Sequence, residues 1–305
     1  MWRYILKRLL QAVICILGVS VIVFVLARLT GDPALVMLGP GARLEDILAL
    51  RQKWGLDLPM IVQYWRFISN AVHGDLGLSL RYHAPVMALW LGRLPNTLLL
   101  AGVSFAIATV AGVVGGVIAA VKPGSWFDRL GKTVSFLGIS VPVFLTAIVL
   151  IIIFAVKLHW LPVYGTGTWR HLIMPAFTLA WASSAGQLRL TRSAMLDVLD
   201  AEYIKLARVK GVPEYKVIAK HALKNALIPI VTMAALQFMV LFSGTVIIEF
   251  IFAWPGIGWL AVEGARNRDF PVVQACALMT SVLFIAINLA VDMLYAYIDP
   301  RIRYQ

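Results

Sequence analysis

Residues 202–229 form a charged segment that can bind another molecule at a membrane surface. Their sequence is EYIKLARVKGVPEYKVIAKHALKNALIP, and it lies between two long uncharged runs. Lys216, Lys220 and Lys224 recur every four residues, which places them on one side of a helix. Ammonium groups arranged in this way pair with carboxylates of a partner protein or with lipid headgroups. The pattern alone therefore leaves two interpretations open, a docking surface for a soluble protein and a surface helix that only holds lipid.

The same segment is predicted to fold as two short helices separated by a glycine turn. The first helix covers residues 203–210, Gly211 takes the C′ position after it, and Pro213 takes the first position of the second helix. Apolar residues of the second helix recur at spacings of three and four, as on one face of an α-helix. They are Tyr215, Ile218, Ala219, Ala222, Leu223, Ala226 and Leu227.

No motif in the chain predicts catalysis or a bound cofactor. Gly131-Lys132-Thr133 resembles the end of a phosphate-binding loop, but that loop needs a glycine where the chain has Trp126. The five histidines are scattered without the spacing of a metal site, and the sequence contains no Gly-x-Ser-x-Gly. We expect no catalytic residue, no metal site and no cofactor bound by this chain.

The composition predicts a membrane protein. Of the 305 residues, 61% are hydrophobic and 14% are charged, which is more apolar surface than a soluble domain can bury. Six uncharged runs approach or exceed the length of helix that crosses the hydrocarbon core. They are Leu9–Ala27, Leu94–Val121, Thr133–Val156, Leu172–Leu188, Asn225–Ile248 and Phe270–Val291.

The distribution of Lys and Arg predicts that both termini are cytoplasmic. In that orientation the inner segments carry 16 Lys and Arg in 62 residues, and the outer segments carry 10 in 100. The net charge of +12 then belongs mainly to topology, so we expect no nucleic-acid partner. The first apolar run is too long for a typical signal peptide and is expected to remain as an anchor.

The apolar runs divide the chain into an anchor, an outer loop and a core. Residues 1–29 form the anchor span, and residues 30–93 form a long outer loop with two interfacial helices, at Glu45–Trp54 and Met60–His73. The core comprises residues 94–298, with spans at about 94–121, 133–156, 172–189, 225–248 and 270–292, a cytoplasmic loop at 200–224, and a cytoplasmic tail at 299–305.

Several residues within the spans are candidates to line or gate a pathway. Pro142 frees a backbone carbonyl in the third span, which needs a kink, a partner or water. The fourth span is the shortest, and its polar inner end indicates that it faces protein or a cavity. The polar candidates are Ser183, Ser184 and Gln187 in the fourth span and Gln237 and Ser243 in the fifth.

Two further patterns concern how the spans pack. Gly112-xxx-Gly116 in the second span permits close contact with another helix. Glu249 and Asp292 flank the last two spans, and ionisable groups near a bilayer mark functional sites by default. The alternative is that they are hydrated or paired with Arg or Lys and hold the bundle together. We favour this structural role for Asp292. For Glu249 both interpretations stay open, and we group it with Asp292 as a structural acid.

The charged segment and several other motifs resemble the permease subunits of bacterial ABC importers, in the dipeptide, oligopeptide, glutathione and nickel group. In the segment, the resemblance rests on residues 207–211 (ARVKG) and 221–226 (HALKNA). The broader importer consensus matches only at Ala207, Gly211 and Leu223, so it is the variant of the peptide group that applies. The other motifs, in chain order, are Gly31-Asp32-Pro33-Ala34, Gly74-Asp75-Leu76-Gly77 and Trp254-Pro255-Gly256-Ile257-Gly258.

This resemblance implies a fold and a set of partners. The fold is that of an all-α membrane protein, a type I ABC importer permease with six transmembrane helices, a cytoplasmic coupling helix and a long outer loop between the first two spans. The partners are a homologous permease in a heterodimer, two ATP-binding subunits that carry ATP and Mg, an extracytoplasmic solute-binding protein, and the lipid of a bacterial inner membrane. The residues expected to contact the ATPases are Tyr203, Ala207, Arg208, Lys210, Gly211, Glu214 and Lys220.

The expected function is therefore that of a permease subunit in an ATP-driven importer for peptides or similar small solutes. The chain has no clear internal repeat, so it is expected to line half of a pathway that a second chain completes. The alternative is an ATP-independent channel or proton-coupled carrier. That function requires ionisable residues within the spans, and the six apolar runs contain none.

Overall fold

The apolar runs of the chain fold into long helices. The computed structural model describes residues 2–31, 33–38 and 41–298. A helix suits a hydrocarbon environment because each backbone N–H and C=O is satisfied within the same segment. Apart from an isolated antiparallel bridge between Leu78 and Pro85, the regular structure of the described residues is helical. The α-helices are α1 (Trp2–Thr30), α2 (Pro33–Leu38), α3 (Leu44–Trp54), α4 (Met60–Val72), α5 (Val86–Val121), α6 (Trp126–Ser140), α7 (Val143–Leu150), α8 (Arg170–Leu199), α9 (Glu202–Val209), α10 (Glu214–Lys216), α11 (Lys224–Ile251), α12 (Ile257–Arg266) and α13 (Phe270–Ile298), and the two π-helices are Ile151–Lys157 and Val217–Leu223.

Among the described residues, four helices are long and apolar enough to cross a membrane, and five if the bent pair α6–α7 is counted as one span. The four are α1, α5, α13 and the continuous helix Glu214–Ile251. The fourth predicted span lies in α8, which does not reach the same hydropathy. The helix itself has 30 residues, because Arg189 and Arg192 end the uncharged run without ending the helix. The expectation that this span is the shortest stays a prediction. The count of six spans stays a prediction.

The third predicted span is bent at Pro142. The chain bends there by 104° between α6 and the helix Val143–Lys157, which consists of α7 and the π-helix after it. Val141 has φ −88° and ψ 122°, since the ring of the following proline disfavours helical conformation in the residue before it. Of the three possibilities left open at this proline, a kink, a partner or water, the structure shows a bend, and it separates the polar helix α6 from the apolar helix α7.

The chain divides into two compact units. The first contains the described residues up to Asn96 together with Pro255–Ala290, and the second contains Thr97–Trp254 and the described residues from Val291. Each unit has its own buried apolar cluster.

The core of the first unit packs three helices together. Trp90 of α5, Leu260 of α12 and Val272 of α13 are all buried in one cluster. Burying an aliphatic side chain of this size stabilises a fold by about 1.5–3 kcal/mol, so this cluster holds α5, α12 and α13 in place.

Polar contacts attach the segment before α5 to the residues that join α12 and α13. Ser79 Oγ donates to the buried carboxylate of Asp269 at 2.5 Å, and the backbone N–H of Arg81 donates to the same oxygen at 3.2 Å. Tyr82 Oη donates to Glu263 Oε2 at 2.6 Å. The pKa of Tyr82 is raised, first by partial burial of its hydroxyl group and second by this hydrogen bond to a carboxylate.

Glycines bring α5 and α8 into close contact in the second unit. A Cβ on Gly112 would lie 2.5 Å from Cβ of Gln187, and a Cβ on Gly116 would lie 2.5 Å from Cβ of Thr191. Such distances are far inside van der Waals contact, so only glycine fits at both positions. The close contact predicted from Gly112-xxx-Gly116 is present, and the helix that it approaches is α8.

Candidate functional site

Helix α9 of the charged segment ends in a Schellman motif at Gly211. The backbone N–H of Gly211 donates to Arg208 O at 2.9 Å, and that of Val212 donates to Ala207 O at 3.2 Å. Gly211 has φ +74°, a conformation that any side chain disfavours by roughly 1 kcal/mol or more. No atom lies within 4 Å of a Cβ built on it, so the requirement for glycine comes from the backbone and not from packing.

An ion pair spans this glycine turn. Arg208 Nη2 and Nε donate to Glu214 Oε1 and Oε2 at 2.8 and 3.2 Å, and this hydrogen bonding raises the pKa of Arg208. Both side chains are exposed, so the pair contributes only about 0.2–1 kcal/mol. Lys205 Nζ donates to Glu202 Oε1 at 3.0 Å, which likewise raises the pKa of the lysine. The main effect of the bidentate pair is to restrict the angle between α9 and α10, since its contribution to stability is small.

The second helix of the segment departs from the predicted periodicity. Pro213 is the N-cap of α10 and not its first residue, and after α10 the backbone continues as a π-helix into α11. A π-helix has hydrogen bonds from residue i to i+5, so Val217 and Ala222 share the buried side. The predicted apolar face is therefore wrong in part. Its exposed members are Tyr215, Ala219 and Leu227.

A buried cluster attaches the segment to the rest of the second unit. Ile204 of α9 and Val217 and Ala222 of the π-helix are fully buried, together with Met195 of α8 and Ala120 of α5. Protein interiors are densely packed and resist compression. A force applied to α9 is therefore transmitted to the ends of α5 and α8.

The opposite side of the segment exposes apolar side chains among charged ones. We call the four exposed apolar side chains of this side the loop surface: Tyr203, Leu206, Val209 and Tyr215. Val209 is 84% exposed, which is unusual for an aliphatic residue in a helix. An apolar patch with a charged rim is typical of protein docking sites.

The structure places the predicted contact residues around the loop surface. Tyr203 belongs to it, and five of the others are also exposed, while Ala207 is half-buried. The sequence prediction did not include Leu206, Val209 and Tyr215, whose exposure is seen only in the structure. The five other exposed residues are Arg208, Lys210, Gly211, Glu214 and Lys220.

The polar candidates for a pathway do not lie in one site. Gln187 is fully buried and donates from Nε2 to Ile230 O of α11 at 3.1 Å, so it cross-links two helices. Gln237 of α11 is buried near Gly186, whose Cβ would lie 2.9 Å from the Gln237 amide nitrogen. These contacts describe packing between α8 and α11, and a role of either glutamine in a pathway stays a prediction.

The remaining candidates are more accessible. Ser183 and Ser184 are half-buried, and Ser184 Oγ donates to Trp181 O at 2.8 Å. Ser243 is exposed and donates to a backbone carbonyl of its own helix, and Pro142 is exposed at the bend. A role of these four residues in a pathway stays a prediction.

The two acids that flank the last spans differ in burial. Glu249 is fully buried near the end of α11, and its Oε1 accepts a hydrogen bond from Thr97 Oγ1 at 2.6 Å. Asp292 is half-buried in α13. The sequence did not indicate the burial of Glu249, because Thr97, which donates to its carboxylate, is 152 residues away in the chain.

The sequence analysis also missed a buried ion pair in the second unit. The fully buried carboxylate of Asp128 accepts from Arg192 Nε at 2.6 Å and Nη2 at 3.1 Å, and from Lys132 Nζ at 3.1 Å. The backbone N–H of Gly124 donates to it at 2.9 Å. The sequence does carry a local signal for the position of Asp128 at the start of α6. Ser125 caps the helix and Asp128 is the acid three residues later, as in a capping box. Arg192 was not predictable from that signal.

Among the described residues, no group of three or more His, Cys, Asp or Glu side chains lies close enough to hold a metal ion. Cys15 and Cys276 are free thiols.

Two family models match most of the chain, and curated proteins match its whole length. Residues 112–304 match the family described as binding-protein-dependent transport system inner membrane component, and residues 1–101 match the N-terminal family of the same membrane components. The glutathione transport system permease protein GsiC of Escherichia coli O6:H1 is 46% identical over 306 residues, covering 100% of both chains. The proteins of the same name from Escherichia coli K12 and Shigella dysenteriae are each 45% identical with the same coverage.

Two solved structures share the fold of more than two thirds of the chain. A chain of an amino acid ABC transporter with histidines has a TM-score of 0.56 at 15% identity and covers 69% of this chain and 94% of its own. A chain of the inward-facing MetNI methionine ABC transporter has a TM-score of 0.57 at 19% identity, with 70% and 97% coverage. At these identities the likeness concerns the fold alone.

Proposed function

Since this chain belongs to the family of inner-membrane components of binding-protein-dependent transport systems, and is a permease subunit of an ABC importer, we propose that it forms one half of a translocation pathway. A second, homologous permease completes the pathway in a heterodimer. The predicted family and the all-helical membrane fold are confirmed. The alternative of an ATP-independent channel or proton-coupled carrier is set aside by this family membership.

The observation that carries the mechanism is the two-sided construction of the charged segment. One side is buried against the ends of α5 and α8 through Ile204 and Val217, and the other side exposes the loop surface with its charged rim. We therefore propose that the loop surface docks on a cytoplasmic ATP-binding subunit. Closure of two such subunits on ATP and Mg draws the loop surfaces of the two permeases together, and the packed cluster passes this movement to the spans.

The partners and the orientation follow from the same proposal. The ATP-binding subunits hold ATP and Mg, this chain holds neither, and a solute-binding protein delivers the solute from outside. The loop faces the cytoplasm, as do both termini, in a bacterial inner membrane. The curated relatives are named for glutathione transport, which supports glutathione or a similar short peptide as the solute, with the binding protein making the selection.

Reconstitution tests this function directly. The chain with its partner subunits should take up labelled glutathione into proteoliposomes only with ATP inside and the binding protein outside. This requirement follows because the energy comes from subunits that dock on the cytoplasmic loop. The chain alone should give no uptake driven by a proton or sodium gradient. Gradient-driven uptake by the isolated chain, or uptake with ATP outside and the binding protein inside, would contradict the proposal.

Replacement of Gly211 tests the coupling loop. Gly211→Val should lower solute-stimulated ATPase activity of the reconstituted complex, because a β-branched side chain disfavours φ +74° by roughly 1 kcal/mol or more. Gly211→Asn is the matched control, since Asn tolerates this conformation better than other side chains. It should retain more of the coupling. Wild-type stimulation in the valine variant would remove the role assigned to this turn.

A further inference from the structure

A cavity of about 580 Å³ lies between α6 and α8 in the second unit, apart from the loop surface and from the pathway candidates. Its lining combines cations, hydroxyl groups and apolar side chains. The residues are Lys132, Ser135, Phe136, Ile139, Ser140, Leu188, Arg189, Arg192 and Ser193.

The charges of this cavity do not cancel. Arg192 and Lys132 both contact Asp128, the acid that neutralises part of their charge. Arg189 is exposed and has no hydrogen-bond or ion-pair partner among the described residues. Arg192 uses Nε and Nη2 on Asp128, which leaves Nη1 available. Three cations and one anion leave an excess of two positive charges, so the cavity favours an anion.

A buried hydroxyl in the lining points to a ligand with acceptor oxygens. Ser135 is only 3% exposed, and its Oγ has no hydrogen-bond partner within the described structure. Buried polar groups are nearly always satisfied, so an unsatisfied one next to a cavity indicates a missing partner. A phosphate group has the charge and the several acceptor oxygens that Arg, Lys and Ser donors together can bind.

The apolar part of the lining distinguishes between sources of phosphate. Phe136 and Ile139 are 70% and 51% exposed on α6, next to the cationic residues. A free phosphate has nothing to place on them, whereas a phospholipid has acyl chains. Basic pockets between membrane helices on the cytoplasmic side bind anionic headgroups in general.

We propose that this cavity binds a phosphate group, and that the phosphate belongs to an anionic phospholipid of the cytoplasmic leaflet. Arg189, Lys132 and Ser135 Oγ hold the headgroup, and the acyl chains lie on Phe136 and Ile139. The assignment to that leaflet rests on the proposed orientation of the chain, while the phosphate site itself does not.

Lipid retention in the assembled complex tests the site without any measurement of transport. The complex is placed in nanodiscs of phosphatidylcholine with a minor fraction of phosphatidylglycerol, and bound phosphatidylglycerol is counted by native mass spectrometry. Arg189→Ala should weaken retention about tenfold, as expected for the loss of one charge-assisted hydrogen-bond donor. Ser135→Ala should weaken it less, and it should still fold because the deleted hydroxyl has no partner.

The matched control is Arg129→Ala, which removes the same charge from an exposed position of α6 that does not line the cavity. It should leave retention within about twofold, a difference of about 0.4 kcal/mol. An equal loss in both arginine variants would indicate diffuse attraction and overturn the site. If inorganic phosphate binds in detergent and Arg189→Ala weakens it, while lipid retention is unchanged, then the phosphate site stands and the lipid source is overturned.

Discussion

Replacing Arg192 with alanine is expected to lower the free energy of unfolding by about 1.5–3 kcal/mol, as for the loss of hydrogen bonds to a charged group. The reason is the burial of Asp128, whose carboxylate is fully buried and receives two of its hydrogen bonds from this arginine. Without Arg192, the carboxylate keeps only Lys132 and one backbone N–H as partners. Denaturant-induced unfolding of the full chain in mixed micelles measures the loss.

Two further variants separate the ion pair from general effects of charge. Arg129→Ala removes an exposed arginine from α6 and should change the stability by no more than about 0.5 kcal/mol. Asp128→Asn combined with Arg192→Ala should recover part of the loss, because no buried carboxylate then lacks the arginine that solvated it. A similar loss in the Arg129 and Arg192 variants would show that Asp128 does not depend on its arginine.

The second large effect is expected at the contact between α5 and α8. Gly116→Ala places a Cβ 2.5 Å from Cβ of Thr191 and 2.8 Å from Leu188 O. Neither neighbour is the end of a flexible side chain, so the helices must separate, and overpacking of this kind typically costs about 1–3 kcal/mol. This cost outweighs the gain of about 0.5–1 kcal/mol that alanine brings to a helix interior. The same unfolding measurement should therefore show a net loss of stability.

Gly102→Ala is the matched control on the same helix. No atom lies within 4 Å of a Cβ built on Gly102, so alanine there should stabilise the chain by up to about 1 kcal/mol. The two substitutions are chemically identical and should have opposite signs. Stabilisation by both would mean that α5 and α8 do not approach each other as closely as the glycines indicate.

These two expectations show how far the sequence predicts the interior of the second unit. Gly112-xxx-Gly116 predicted a close helix contact, because a repeat of small residues is visible within one helix. It did not indicate that α8 is the partner. The cap of α6 was likewise visible in Ser125 and Asp128, whereas Arg192 lies 64 residues away from the acid it pairs with.

The charged segment shows the same division. Gly211 was predicted to follow a helix in a left-handed conformation, and it does, since the signal for a Schellman turn lies in adjacent residues. The buried side of the following helix was predicted in part wrongly. A period of 3.6 residues was assumed, and the π-helix shifts the buried positions to Val217 and Ala222.

The sequence by itself determined the family, the helical membrane class, the position of the glycine turn at Gly211 and the proline at which the third predicted span bends. The family follows from the resemblance of several motifs to permease subunits. Each of the other features depends on composition, on the length of an apolar run or on the conformational preference of one or two residues. Only the tertiary structure decided which side chains of the segment form the loop surface, how Asp128 and Glu249 are satisfied, and that Arg189 and Ser135 line one cavity. Those features depend on contacts between helices far apart in the chain, whose partners a local pattern does not specify.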